Sequence, residues 1–275
     1  MLFPESKRVL YKKNPLVEVV CQFRFPTILR IRERQLADFQ DRIREDYPVY
    51  SEQEPSIVVP PQVPKELAAI IGQIKIPAAF AFPMPFGFPM PFGLPIIHRF
   101  STADSARFVS LSDEFMALTQ IRYERWESFR EEVAKVESAL KEIYNPTFYS
   151  RIGLRYRDVI SRGHLGLSNV KWQDLLRSEF IAELGDKDIS DAVRAIQTRT
   201  VLELTEILGG QITLNHGLLK PPGSNEESYV IDADFSVERK EGVDEPFKVL
   251  DRFNRMARQL FRWAITESLH NAMEP

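Results

Sequence analysis

Cysteine is nearly missing: Cys21 is the only one in 275 residues. No intrachain disulfide can form, which excludes the stapled scaffold of a small secreted domain. Histidine is almost as scarce. His98, His164, His216 and His270 are scattered, with no His-x-x-x-His pair and no glutamate beside two helical histidines. A zinc site needs ligands that converge at short range, so no metal is expected. Glycine is also sparse, at 12 residues, and none forms a Gly-x-Gly-x-x-Gly run. Gly209-Gly210 lacks the lysine and helix context of a phosphate loop. No Gly-x-Ser-x-Gly elbow offers a serine nucleophile. The longest apolar candidate, 70–97, is broken by prolines and Lys75, so no run reaches the ~20 residues of a membrane span. No N-terminal stretch joins a basic region, an apolar run and a small-residue cleavage site. The expected location is therefore the cytoplasm. Neither sign of charge dominates. Thirty-six basic residues face 39 acidic ones, for a net charge of −3, so no global field draws the chain to nucleic acid.

Proline, in contrast, is unevenly rich. Ten of the 19 fall between Pro55 and Pro95, and that stretch ends in a hexapeptide repeat, Phe82-Pro-Met-Pro-Phe-Gly then Phe88-Pro-Met-Pro-Phe-Gly. Around it the chain is 44% hydrophobic and 27% charged, ordinary for a globular protein of one large or two modest domains.

Periodicity places the elements. Val17, Val19, Cys21, Phe23 and Phe25 alternate with Glu18, Val20, Gln22 and Arg24, which predicts a strand over 16–25. A helix is expected over 33–46, with Leu36, Phe39 and Ile43 on one face. Strands are expected at 96–100, 108–112 and 115–123. Phe129, Val133, Val136, Leu140 and Ile143 recur at four, three, four, three, which predicts a helix over 127–143. The second half repeats this order: a strand over 148–160, a short helix over 171–184, and strands over 198–208, 211–219 and 229–238. Gly209-Gly210 reads as a two-residue hairpin. A closing helix is expected over 246–270, with Pro246 in its first turn.

These elements predict an α+β fold. Its antiparallel sheet would come in two topologically similar halves, each strand-helix-strands-helix, with the long helices packed on one face. The expected halves are 1–145, with an insertion at about 77–95, and 146–275, fused into one globular unit. A pseudo-duplication and one continuous sheet without duplication both fit this order.

Four segments carry a family resemblance: Asn14–Phe25, Tyr149–Asp158, Ile231–Phe235 and Leu250–His270. Together they resemble a sporadically distributed family of uncharacterised bacterial proteins. The resemblance spans nearly the full chain and transfers no activity. It implies a bacterial accessory protein of patchy distribution, of the kind found in defence or toxin–antitoxin loci. The family pattern has ordinary strands where this chain has the Pro-Met-Phe repeat.

Three groups of residues remain as candidates. Asp232 and Asp234 lie two apart in a strand, so both point to one face and could act as an acid and base or hold a divalent ion. Arg151, Arg155 and Arg157 also share a strand face, and a cross-strand ladder of opposite charges solvating an exposed sheet is the preferred reading. Arg252, Arg255, Arg258 and Arg262 form a stripe along the last helix. That stripe could track phosphates, though a solvated helix face is preferred. Between 77 and 95 there are five phenylalanines, two methionines, six prolines and no charge. Such a segment needs cover, from its own sheet or from a partner that takes Phe82, Met84, Phe86, Phe88, Met90 and Phe92. Cys21 falls on an apolar strand face, where a thiol is a small hydrophobe. No cofactor and no catalytic residue are expected. The leading expectation is a non-catalytic protein-interaction component, binding a protein partner or a second copy of itself. Alternatives are a ligand binder or enzyme using the acidic sheet face, and nucleic-acid binding through the arginines.

Overall fold

The computed structural model describes residues 2–32, 36–53, 96–220 and 226–275. The Pro-Met-Phe segment, with Phe82, Met84, Phe86, Phe88, Met90 and Phe92, lies outside the described residues. In chain order the elements are β1 (Leu16–Arg24), α1 (Leu29–Arg32), α2 (Ala37–Ile43), β2 (Val49–Gln53), β3 (Ile97–Ser101), β4 (Arg107–Leu111), β5 (Phe115–Gln120) and α3 (Trp126–Tyr144). There follow β6 (Arg151–Ser161), α4 (Ser178–Ile181), β7 (Thr198–Leu204), β8 (Gly210–Leu219), β9 (Ser228–Glu238), α5 (Pro246–Ala264) and α6 (Glu267–Ala272). The protein is thus a mixed helix-and-strand fold with one nine-stranded sheet, ordered β2-β3-β4-β5-β1-β6-β9-β8-β7. Contacts divide it into an inner unit, Val20–Ile152 with Arg239–Val243, and a terminal unit, Met1–Val19, Gly153–Glu238 and Asp244–Pro275.

In the inner unit β2, β3, β4 and β5 form an antiparallel meander. The turn between β3 and β4 is closed by Asp104, whose Oδ1 accepts from Thr102 Oγ1 at 2.6 Å and from the Ala106 N–H at 3.1 Å. The register sets Phe100 beside Val109 and Val109 beside Leu118, which builds one apolar face. Phe39 of α2 meets Phe100 at 5.6 Å between ring centroids. The α3 stripe buries Phe129, Val133, Val136 and Leu140, as its spacing predicts; Ile143, expected next in the row, is half-buried, and Tyr144 ends the buried row instead. Glu132 of α3 ties helix to sheet. It accepts hydrogen bonds from Tyr47, Arg107 and Gln120.

In the terminal unit β7, β8 and β9 are antiparallel. Ile212, Leu214, Leu218, Tyr229, Ile231, Phe235 and Val237 are buried on one face. Helix α5 covers them with Leu250, Phe253, Ala257, Leu260 and Ala264, at steps of three and four. Phe235 and Phe253 lie 6.0 Å apart, and Tyr156 donates to Asn254 Oδ1 at 3.0 Å. The N-terminal segment packs here too, with Phe3 5.4 Å from Trp263 and Tyr11 edge-on to Phe261.

Four sequence expectations are corrected. The last helix does not run to His270. It breaks at Ile265, which is extended and bridges Leu176, and Thr266 caps a new helix by accepting from the Leu269 N–H. The helix expected over 171–184 is three short turns instead, the last a 3₁₀ turn over Ala182–Gly185. Trp172–Asp174 is a 3₁₀ turn, and α4 is stopped at Ala182, whose φ is +41°. Burial of Trp172, Leu175, Leu176 and Phe180 is met by tertiary contact, not by one helical face. The β7–β8 connection spans Thr205–Gly209, not Gly209-Gly210. Gly209 takes the positive φ of +73°, and Gly210 already pairs with Leu204. Finally, the helix expected over 33–46 is described only as α2, after the separate turn α1.

Candidate functional site

A cluster of buried charge in the terminal unit lies on β6 and β9, on the sheet face away from α5. Strand alternation turns Tyr156 toward α5 and Arg155 and Arg157 the other way. On β9 it sends Phe235 to the helix and Asp232 and Asp234 to the opposite face. Arg155 grips Asp232 with both arms of its fork. Nε donates to Oδ1 at 2.6 Å, and Nη2 donates to Oδ2. Arg157 sits next to this pair, its Nε 3.6 Å from Asp232 Oδ2 and its Nη1 3.1 Å from Glu18 Oε2. Two guanidiniums and two carboxylates therefore neutralise one another.

The sequence reading placed these charges on a solvated face. The structure buries them: Asp232 is 4% exposed and Arg155 8%. Burial alone would raise the Asp232 carboxyl. The charges of Arg155 and Arg157, with the hydrogen bonds from Arg155, outweigh it and hold the group below the ordinary carboxylate range. For Arg155, desolvation works against the charged form, and Asp232 reverses it, so its pKa lies above the ordinary value. An aspartate held as an anion by two arginines has no proton to give and little basicity to offer. It is poorly suited to general acid–base work.

The other candidates do not converge on this cluster. Arg151 lies in the inner unit, where it is buried and donates to Gln22 Oε1 at 2.8 Å. Asp234 is only half-buried and stands opposite Thr213, its charge adding to the field that favours Arg155. Along α5, Arg252 and Arg255 are exposed, while Arg258 is half-buried. Arg262 is drawn to the helix end, where it pairs with Glu267 and donates to the Ile265 carbonyl. The stripe is thus not one open basic surface.

The sequence singled out neither Glu18 of the site nor Asp158 on the opposite sheet face. Glu18 lies on the charged side of the β1 alternation, and that pattern was a usable signal. Asp158 lies on β6 with the opposite parity to Arg157, which turns it to the α5 side. It is 8% exposed, and no described residue donates a hydrogen bond to it. Desolvation, then the nearby Asp232 charge, pushes its pKa up to about 8.

Other reactive groups are quiet. The Cys21 thiol is buried, and desolvation raises its pKa far from the thiolate range. His216 Nδ1 lies 2.7 Å from the Tyr229 hydroxyl, which donates to the Phe180 carbonyl, so His216 supplies the proton of the first bond as a neutral ring. Desolvation lowers its pKa to about 4. Among the described residues, no three His, Cys, Asp or Glu side chains gather as a metal site. No helix among them is long and apolar enough to cross a membrane. When the chain is compared with known proteins, no family model and no curated sequence matches it.

Proposed function

We propose that this chain is a non-catalytic protein-binding component that works through the outer strands of its sheet. The observation that supports it is that both outer strands carry exposed apolar side chains. Val49 and Tyr50 of β2 are 46% and 40% exposed, and Val201 of β7 is 54% exposed. These two strands end the sheet order, and among the described residues no strand pairs with their outer sides. An outer strand with open N–H and C=O groups and an apolar side chain is a template for another chain. The buried Arg155–Asp232 pair, in contrast, is engaged within the fold on both arms of the guanidinium.

The resemblance stated above suggests the setting: a cytoplasmic protein of a bacterial accessory locus, of defence or toxin–antitoxin type. Its sheet would descend from two similar halves, 1–145 and 146–275, and the Phe82–Phe92 segment would be a second docking element.

The test is multi-angle light scattering of the full chain over a wide concentration range, with cross-linking of a host lysate in parallel. Mass above 31.8 kDa that rises with concentration, or one partner chain captured stoichiometrically, is expected. A constant monomer mass and no captured chain overturn the proposal.

A further inference from the structure

We infer that the outer edge of β7 pairs antiparallel with β7 of a second copy of this chain, about a two-fold axis at Val201. The inference rests on the protein-binding reading above and names its partner.

The backbone geometry comes first. Ile196 N–H donates to the Leu218 carbonyl, and the β7–β8 register carries that spacing forward, so residues 198, 200, 202 and 204 bond toward β8. On the other side of β8, Glu238 N–H donates to the Gly209 carbonyl, which gives the odd residues of β8 to β9 and its even residues to β7. The two ladders agree. The N–H and C=O groups of Arg199, Val201 and Glu203 therefore point outward, away from β8.

The side chains come second. Arg199, Val201 and Glu203 are all exposed. They read cation, apolar, anion, with Val201 in the middle. If two such strands pair antiparallel with Val201 opposite its own copy, Arg199 falls opposite Glu203 of the second chain, and Glu203 opposite its Arg199. On the other strand face Thr200 meets Leu202, and Thr198 meets Leu204. In this register each odd pair is of the kind that exchanges two N–H···O=C bonds, matching the outward groups. The sequence Thr198-Arg-Thr-Val-Leu-Glu-Leu204 also carries no proline, glycine or lysine to blunt the edge. Charged residues on an outer strand usually repel a copy of themselves. Here the two signs are set symmetrically about Val201 and attract one. The other outer strand, β2, has no such symmetry: about Ser51, Tyr50 would meet Glu52 and Val49 would meet Gln53.

The experiment uses the full chain and charge reversal. Arg199→Glu places two acidic pairs across the axis, and Glu203→Arg places two basic pairs. Each single variant is expected to weaken the dimer about tenfold, since like charges opposite one another repel. An equimolar mixture of the two variants restores both attractive pairs and is expected to dimerise like the parent. The double variant Arg199→Glu/Glu203→Arg is expected to do so as well. Val201→Cys gives a sharper reading. Cys21 is buried, so an oxidised dimer must be joined through position 201. Circular dichroism and thermal melting confirm that each variant is folded. Monomeric single variants whose mixture stays monomeric overturn the inference. A parent that dimerises but shows no change in the single variants and no Val201→Cys cross-link also overturns it, while leaving the protein-binding reading standing. A parent that is monomeric throughout and captures no chain overturns both.

Discussion

Asp232 and Asp158 occupy neighbouring strands, β9 and β6, and are 4% and 8% exposed. Their surroundings push them in opposite directions. Asp232 faces Arg155 and Arg157 and stays ionised below the ordinary carboxylate range. Asp158 faces the α5 side, where Arg262 is held by Glu267, and burial raises its pKa to about 8. Burial is nearly equal for the two, so it cannot be what separates them. The separation comes from which sheet face each side chain enters and whether a cation waits there.

The largest effect should come from breaking the paired site. Asp232→Ala leaves Arg155 buried without its carboxylate, and a loss of about 3–5 kcal/mol in urea unfolding is expected. Replacing both members, Arg155→Met with Asp232→Leu, should cost far less, since no charge is then stranded. If the single and double variants lose the same stability, the buried pair is not what holds that face.

Asp158 should give a pH effect of the opposite sign. Its folded pKa is raised from 3.8 to about 8, so its share of stability is fully present below pH 3.8 and is lost as pH rises toward about 8. Asp158→Asn removes this loss. Its melting temperature relative to the parent should climb between pH 5 and 8. Melting curves that run parallel across that range would remove the contrast with Asp232.

A smaller change is expected on the acid side from His216. Its folded pKa is depressed from 6.5 to about 4, so its share of stability is present above pH 6.5 and lost as pH falls toward about 4. Nuclear magnetic resonance should show the His216 ring neutral at pH 5.5. A midpoint near 6.5 would mean that the buried Tyr229 contact is open in solution.

Much of this was legible where the signal is local. The alternation in 16–25 and the four-three spacing of Phe129, Val133, Val136 and Leu140 come from covalent geometry, and both produced the expected element. The parity that sets Arg155 and Arg157 together and Asp158 apart was equally readable. The end of α5 was not. Its helical pattern continues past Ala264, but Ile265 is taken by a bridge to Leu176, from a turn far back in the chain. The same long-range effect broke the helix expected over 171–184. Exposure of the charged face was misjudged for a related reason. A polar residue in a strand signals solvent only if its partner is unknown, and Asp232 meets Arg155 across 77 positions.

By itself, the sequence determined where the long strands and the two long helices lie, that no intrachain disulfide braces them, and which side chains share a face. Those properties follow from neighbours within one or two turns of backbone. Only the tertiary structure decided that β6 lies between β1 and β9, and so that Arg157 meets both Glu18 and Asp232 while Asp158 meets no cation among the described residues. Strand order depends on competing contacts between distant segments, and residue periodicity carries no record of them.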